Sequence, residues 1–221
     1  MSYFPSEQAR SGERAGISNA LFGKVLGLLA FSIAFAAVGG FVGAQLGRGW
    51  LLPFFITQIA LIFAVQGLRD RQGINFVLLY AFAFVSGATL GPIIESYVNA
   101  GLGTAVLQAA AVTGAMTVGL GAYGMLTKRN LMALQPFLMI GVLGLFVAMI
   151  MNIFVGGSVM YGIISWAGAM LFSVLLVVDV NRAKYAEDTM GNAVVIALSI
   201  YLDIVNLFLF ILRIFGGGGR R

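Results

Sequence analysis

Only eight residues of the chain are acidic, and three of them lie inside long hydrocarbon runs. They are Glu95 in "GATLGPIIESY", Asp179 in "LLVVDVNR" and Asp203 in "IALSIYLDIVNLFLFILRIFG". An aspartate at the centre of a membrane helix costs roughly 2.5 to 3.5 kcal/mol, and each Leu, Ile, Phe or Val returns about 0.3 to 0.6. Such a helix still inserts. Its carboxylate then needs a partner, a proton or water, and it marks a functional site by default. Histidine and cysteine are both absent. The chain therefore has no thiol chemistry and lacks the usual physiological pH switch, so proton sensing and cation binding fall to carboxylates. The other five acids, Glu7, Glu13, Asp70, Glu187 and Asp188, lie in the tail or in loops.

Asp179 and Asp203 are symmetric about Gly191. In a helical hairpin turning near Gly191, both lie about 18 Å along neighbouring antiparallel helices, at 1.5 Å per residue. They can then meet, provided the first helix continues through "NRAKYAED". Arg, Ala, Lys and Glu are good helix formers and permit this. If that segment is a loop, Asp203 lies much deeper than Asp179. Two carboxylates in one site titrate as a pair. A nearby cation changes their balance, and Arg69, at the end of the second apolar run, is the candidate. The alternative for Arg69 is an ordinary flanking residue of a membrane span. Glu95 follows Pro92, which is expected to kink its helix, with Gly87 and Gly91 allowing close approach. It reads as an outer-mouth cation site or as a snorkelling interfacial acid.

The elements that must hold these residues are membrane spans. The chain is 60% hydrophobic and 10% charged, with 30 glycines in 221 residues. A soluble domain carries about 25% charged residues. Seven apolar runs follow one another at 22–46, 50–68, 74–98, 103–126, 132–155, 158–181 and 191–213. Each approaches the roughly 20 residues needed to cross the hydrocarbon as a helix. They lack the alternation of barrel strands. The first run is too long for the apolar core of a signal peptide. The expectation is an all-α membrane protein, with a mobile polar tail at 1–20, one transmembrane domain at 21–216 and a short tail at 217–221.

The basic residues Arg10, Arg14, Lys24, Arg69, Arg71, Lys128, Arg129, Arg182 and Lys184 share one face in a seven-span topology. The positive-inside rule places that face, and the N-terminus, in the cytoplasm. Arg213, Arg220 and Arg221 dissent, and a re-entrant last segment would accommodate them. The net charge of +5 is dispersed among loops, so nucleic acid is not an expected partner. In the fourth run Ala111, Ala115 and Gly119 recur four apart, the spacing of close helix packing.

"AFVSGATLGPIIESY" together with "ALSIYLDIVNLFLFILRIFG" closely resembles the transmembrane Bax inhibitor motif family, including its bacterial members. The likeness spans roughly residues 20 to 216. It implies a seven-helix bundle whose last helix is central, and a pH-sensitive calcium leak. It also implies a paired-aspartate sensor and gate at Asp179 and Asp203, a latch at Arg69, and a role for Glu95.

On that reading calcium is the transported ion, held weakly and transiently by Asp179 and Asp203, and no cofactor is bound permanently. Calcium prefers six to eight oxygen ligands, and two aspartates supply at most four. The setting is a bilayer, expected to be a bacterial plasma membrane. Two other functions compete. A non-conducting regulator would bind other membrane proteins, in stress, cell-death or protease control. An intramembrane aspartyl protease needs two aspartates on adjacent helices. It also needs glycines before the second aspartate, where this chain has "IYL". No enzymatic activity is expected.

Overall fold

The computed structural model describes residues 7–71 and 73–217, without side-chain detail at 7–19 and 48. The expectations for residues 1–6 and for Arg220 and Arg221 lie outside the described residues. Seven α-helices follow in order: α1 (Glu7–Leu46), α2 (Leu51–Gly67), α3 (Ile74–Asn99), α4 (Gly103–Leu126), α5 (Gln135–Val155), α6 (Ser158–Arg182) and α7 (Met190–Phe215). No strand occurs among the described residues. Six of the helices, α1 and α3 to α7, are long and apolar enough to cross a membrane. The 17 residues of α2 stand at the lower limit for a crossing.

One expectation is corrected, and one of two alternatives is decided. The stretch 7–20, read as a mobile tail, continues α1 as helix. Its Glu, Gln, Ala and Arg residues are strong helix formers, and polarity alone does not break a helix. At 183–189, where a helical continuation and a loop were both open, the chain makes a set of turns, because α6 stops at Arg182. Pro92 lies within α3, which runs on to Asn99.

Helix α7 packs against α1, α2, α3, α4 and α6, and α5 reaches it where Arg213 Nη1 approaches Met149 Sδ at 3.6 Å. Two apolar cores form along it. Val194, Ile196 and Ala197 join Leu21, Val25 and Val65 in one. Leu207, Phe210 and Ile211 join Leu145, Ile164 and Phe172 in the other. Asp203 falls between them.

The tightest seam joins α1 and α3. A Cβ on Gly87 would strike the Ala36 carbonyl, and one on Gly91 the Gly40 carbonyl. Bare backbone is what lets these helices approach so closely.

Candidate functional site

Asp179 sits one turn from the end of α6, whereas Asp203 sits at the midpoint of α7. Their carboxyl groups nevertheless lie within hydrogen-bonding reach of each other. The start of α7 runs about 15 Å beyond the end of α6, ten residues at 1.5 Å each. The turns at 183–189 bridge that offset. Lys24 Nζ of α1 binds Asp188 Oδ1 at 2.8 Å. At the tip of α7, Gly191 is packed on the backbone of Arg69, where a Cβ would stand 3.0 Å from the carbonyl oxygen.

Both acids are buried, 5% exposed for Asp179 and 4% for Asp203. Asp179 Oδ1 and Asp203 Oδ2 have no hydrogen-bond donor. The cation beside them is Arg182, whose Nη1 lies 3.7 Å from Asp179 Oδ1 across one helical turn. Two ionised carboxylates in contact repel strongly where little water screens them. The pair therefore responds to whichever of a proton or a cation occupies it. Among the described residues no cluster of three or more His, Cys, Asp or Glu side chains forms. Two carboxylates alone make a weak calcium site, which carbonyls or water must complete.

The end of α6 is anchored by Asn181, which is fully buried. Its Nδ2 donates to the carbonyls of Gly124 at 3.0 Å and Arg129 at 3.2 Å. Its Oδ1 accepts from the Leu131 N–H at 2.9 Å. These three bonds tie the end of α4 and the α4–α5 connection to the helix turn that carries Asp179. Lys184 Nζ adds a bond to the Thr127 carbonyl.

The structure does not bring Arg69 to the pair. Its Nε lies 3.7 Å from Asp70 Oδ2, and its side chain is 52% exposed. The contribution at this position is its carbonyl, which accepts from Asn75 Nδ2 at 2.9 Å. The latch expected of Arg69 is thus corrected. The turn after α2 faces outward, and Arg182, on the aspartate's own helix, takes the place beside the acid. Glu95 is exposed on α3 and lines a cavity between α1, α3, α4 and α7.

Sequence reasoning missed three groups. Arg182 was within reach of it, since a residue three after Asp179 shares its helix face. Asn181 carried no signal beyond being polar beside the acid. The third is on the other side of α7, where the Tyr201 hydroxyl points towards Ser86 Oγ, although the two do not meet in a well-formed bond. Phe82 packs edge-on against the Tyr201 ring at 5.7 Å.

Comparison with known proteins identifies the family. A family model described as "Inhibitor of apoptosis-promoting Bax1" matches residues 18–220. An uncharacterized protein of Helicobacter pylori is 32% identical over 192 residues, covering 84% of this chain and 81% of its own. An uncharacterized membrane protein of Vibrio cholerae is 28% identical over 207 residues, covering 92% of each chain. One of Streptococcus pyogenes is 29% identical over 216 residues, covering 90% of this chain and 93% of its own. A match across nearly the whole helical bundle places the chain in a family: it belongs to the Bax inhibitor family of membrane proteins.

Proposed function

We propose that the protein is a pH-sensitive calcium leak channel, with Asp179 and Asp203 as its proton sensor and gate. In this reading the chain crosses the membrane seven times, α2 included, around a central α7. The N-terminus is cytoplasmic and the membrane is a bacterial plasma membrane. One observation carries the reading: two buried carboxyls from adjacent helices meet, with Arg182 beside Asp179. A proton shared by the pair closes the contact between α6 and α7. A calcium ion competes for the same oxygens, and its binding is weak enough to permit release. Arg182 holds part of the negative charge when neither is present.

The test is calcium entry into liposomes containing the purified protein, followed with an enclosed calcium dye across a pH series. Flux that varies with pH is expected. Asp179→Asn combined with Asp203→Asn is expected to flatten the profile. Absence of flux from folded parent protein would overturn the reading and favour a non-conducting regulator that binds other membrane proteins.

A further inference from the structure

Arg213 stands in the last turn of α7, about 33 Å from Gly191 at 1.5 Å per residue. That span exceeds the roughly 30 Å of hydrocarbon in a bilayer. The guanidinium therefore lies near the membrane surface opposite the 183–189 turns, where the positive-inside rule does not expect a cation. Its Nη1 approaches a thioether, Met149 Sδ at 3.6 Å, which is a weak acceptor. The Tyr161 ring lies 5.7 Å away and the Phe210 ring 5.4 Å. Ring faces steady a cation without neutralising it. Among the described residues Arg213 forms no ion pair.

Two cavities meet beside it. One, of about 520 Å³, is lined by Arg213, Tyr161 and the start of α6. The other, of about 370 Å³, lies deeper, between α4, α6 and α7. They share Trp166, Ile214 and Phe215. Apart from the Trp166 indole, the deeper cavity has one polar side chain, Ser173, whose hydroxyl already donates to the Ala169 carbonyl at 2.7 Å. An alkyl chain matches such walls. Along α6 the two cavities run from Ser158 to Val174, about 24 Å at 1.5 Å per residue. One leaflet with its headgroups measures about 20–22 Å. A free anion would use the upper cavity alone, and a hydrocarbon the lower one alone. A cation at the surface with an apolar groove beneath it fits a phospholipid in both length and charge.

We propose that the two cavities are one binding site for a phospholipid, with Arg213 on its phosphodiester and one acyl chain in the groove between α4, α6 and α7. The planar guanidinium can give a phosphate two parallel hydrogen bonds, which an ammonium cannot. The site shares no residue with the aspartate pair and does not depend on the leak reading.

The chain has two tryptophans. Trp50→Phe leaves Trp166 as the only indole, and Trp166→Phe leaves Trp50, half-exposed and outside both cavities, as a control. The full-length protein in detergent micelles is titrated with phosphatidylglycerol brominated on its acyl chains. A parallel titration uses brominated diacylglycerol, which has the same chains and no phosphate. Bromine quenches an indole only at contact. Trp166 should be half-quenched at an about tenfold lower fraction of phosphatidylglycerol than of diacylglycerol, the scale of one charge-assisted pair. Trp50 should show no preference. Arg213→Gln should abolish the preference at Trp166, and Arg213→Lys should keep part of it, which separates the charge from a folding defect. Equal quenching of Trp166 by both lipids in the parent would overturn the site. Protection of Trp166 from both would mean that protein, such as a second copy of the chain, covers the groove, and would overturn it too. Loss of the preference in millimolar inorganic phosphate at constant ionic strength would assign Arg213 to a free anion instead of a lipid.

Discussion

Helices α5 and α7 are equally apolar, with mean hydropathy 2.6 and 2.5 over their most apolar stretches, yet 6% of that stretch is buried in α5 and 56% in α7. On α5, Phe137, Ile140, Leu143 and Phe154 all face outward. On α7, Ala193, Ala197, Tyr201 and Asp203 are enclosed. In a bilayer hydropathy decides whether a helix inserts. It does not decide where the helix sits, because lipid is as apolar as a leucine neighbour. Small and polar residues decide that. Helix α7 has Gly191, Ala193 and Ala197 for close approach, and Tyr201, Asp203 and Asn206 that need company. Helix α5 offers few polar groups, Gln135 and Asn152 near its two ends.

The sharpest way to break this contrast is to exchange the charge. Ile140→Asp places a carboxylate on the lipid face of α5, where Ile140 is 67% exposed. Its stability in detergent is expected to fall by about 2.5–3.5 kcal/mol, with a matching loss of monodisperse protein. Asp203→Asn should leave yield and thermal midpoint near those of the parent, since one charge of a repelling pair is removed. An Ile140→Asp protein as stable as the parent would show that α5 is covered in the membrane.

A smaller effect distinguishes seams from surfaces. Gly87→Ala drives a Cβ into the Ala36 carbonyl and is expected to cost about 1–3 kcal/mol by overpacking. Gly144→Ala on α5 meets nothing within 4 Å. It should stabilise by up to about 1 kcal/mol through helix propensity. Thermal unfolding of both variants checks the signs, and a stabilising Gly87→Ala would refute the close α1–α3 packing.

The smallest effect compares two arginines. Arg182→Gln is expected to move the pH midpoint of calcium flux by about one unit, the scale of losing an adjacent charge. Arg69→Gln should leave the midpoint in place. A larger change at Arg69 would restore it as a latch.

Much of the fold was legible because lipid imposes length. The seven apolar runs and the observed helices differ by a few residues at most of their ends. The partial exception is α1, which starts at Glu7 rather than near residue 22. There the apolar signal stops although the helix does not. The meeting of Asp179 and Asp203 was also legible, but through an incorrect intermediate. Their symmetry about Gly191 suggested two equal helical arms, whereas the structure uses unequal ones joined by turns. Spacing along a sequence measures contour, and turns consume contour without a fixed rise. Position pointed to Arg69 and passed over Arg182, although both lie at helix ends near the same face. Side-chain direction separated them, and that depends on the turn after α2. Tyr201 and Ser86 were invisible because single hydroxyls among apolar residues are common in membrane helices.

The position of α7 in the chain has a consequence for biogenesis. Ribosomes deliver α1 to α6 to the bilayer before the helix against which most of them pack. Their inner faces, including the glycine seam of α1 and α3, must assemble while that surface does not yet exist. Asp179 therefore enters lipid before Asp203. Arg182 emerges three residues behind it on the same helix, which gives the nascent acid a counter-charge from its own helix before α7 is made.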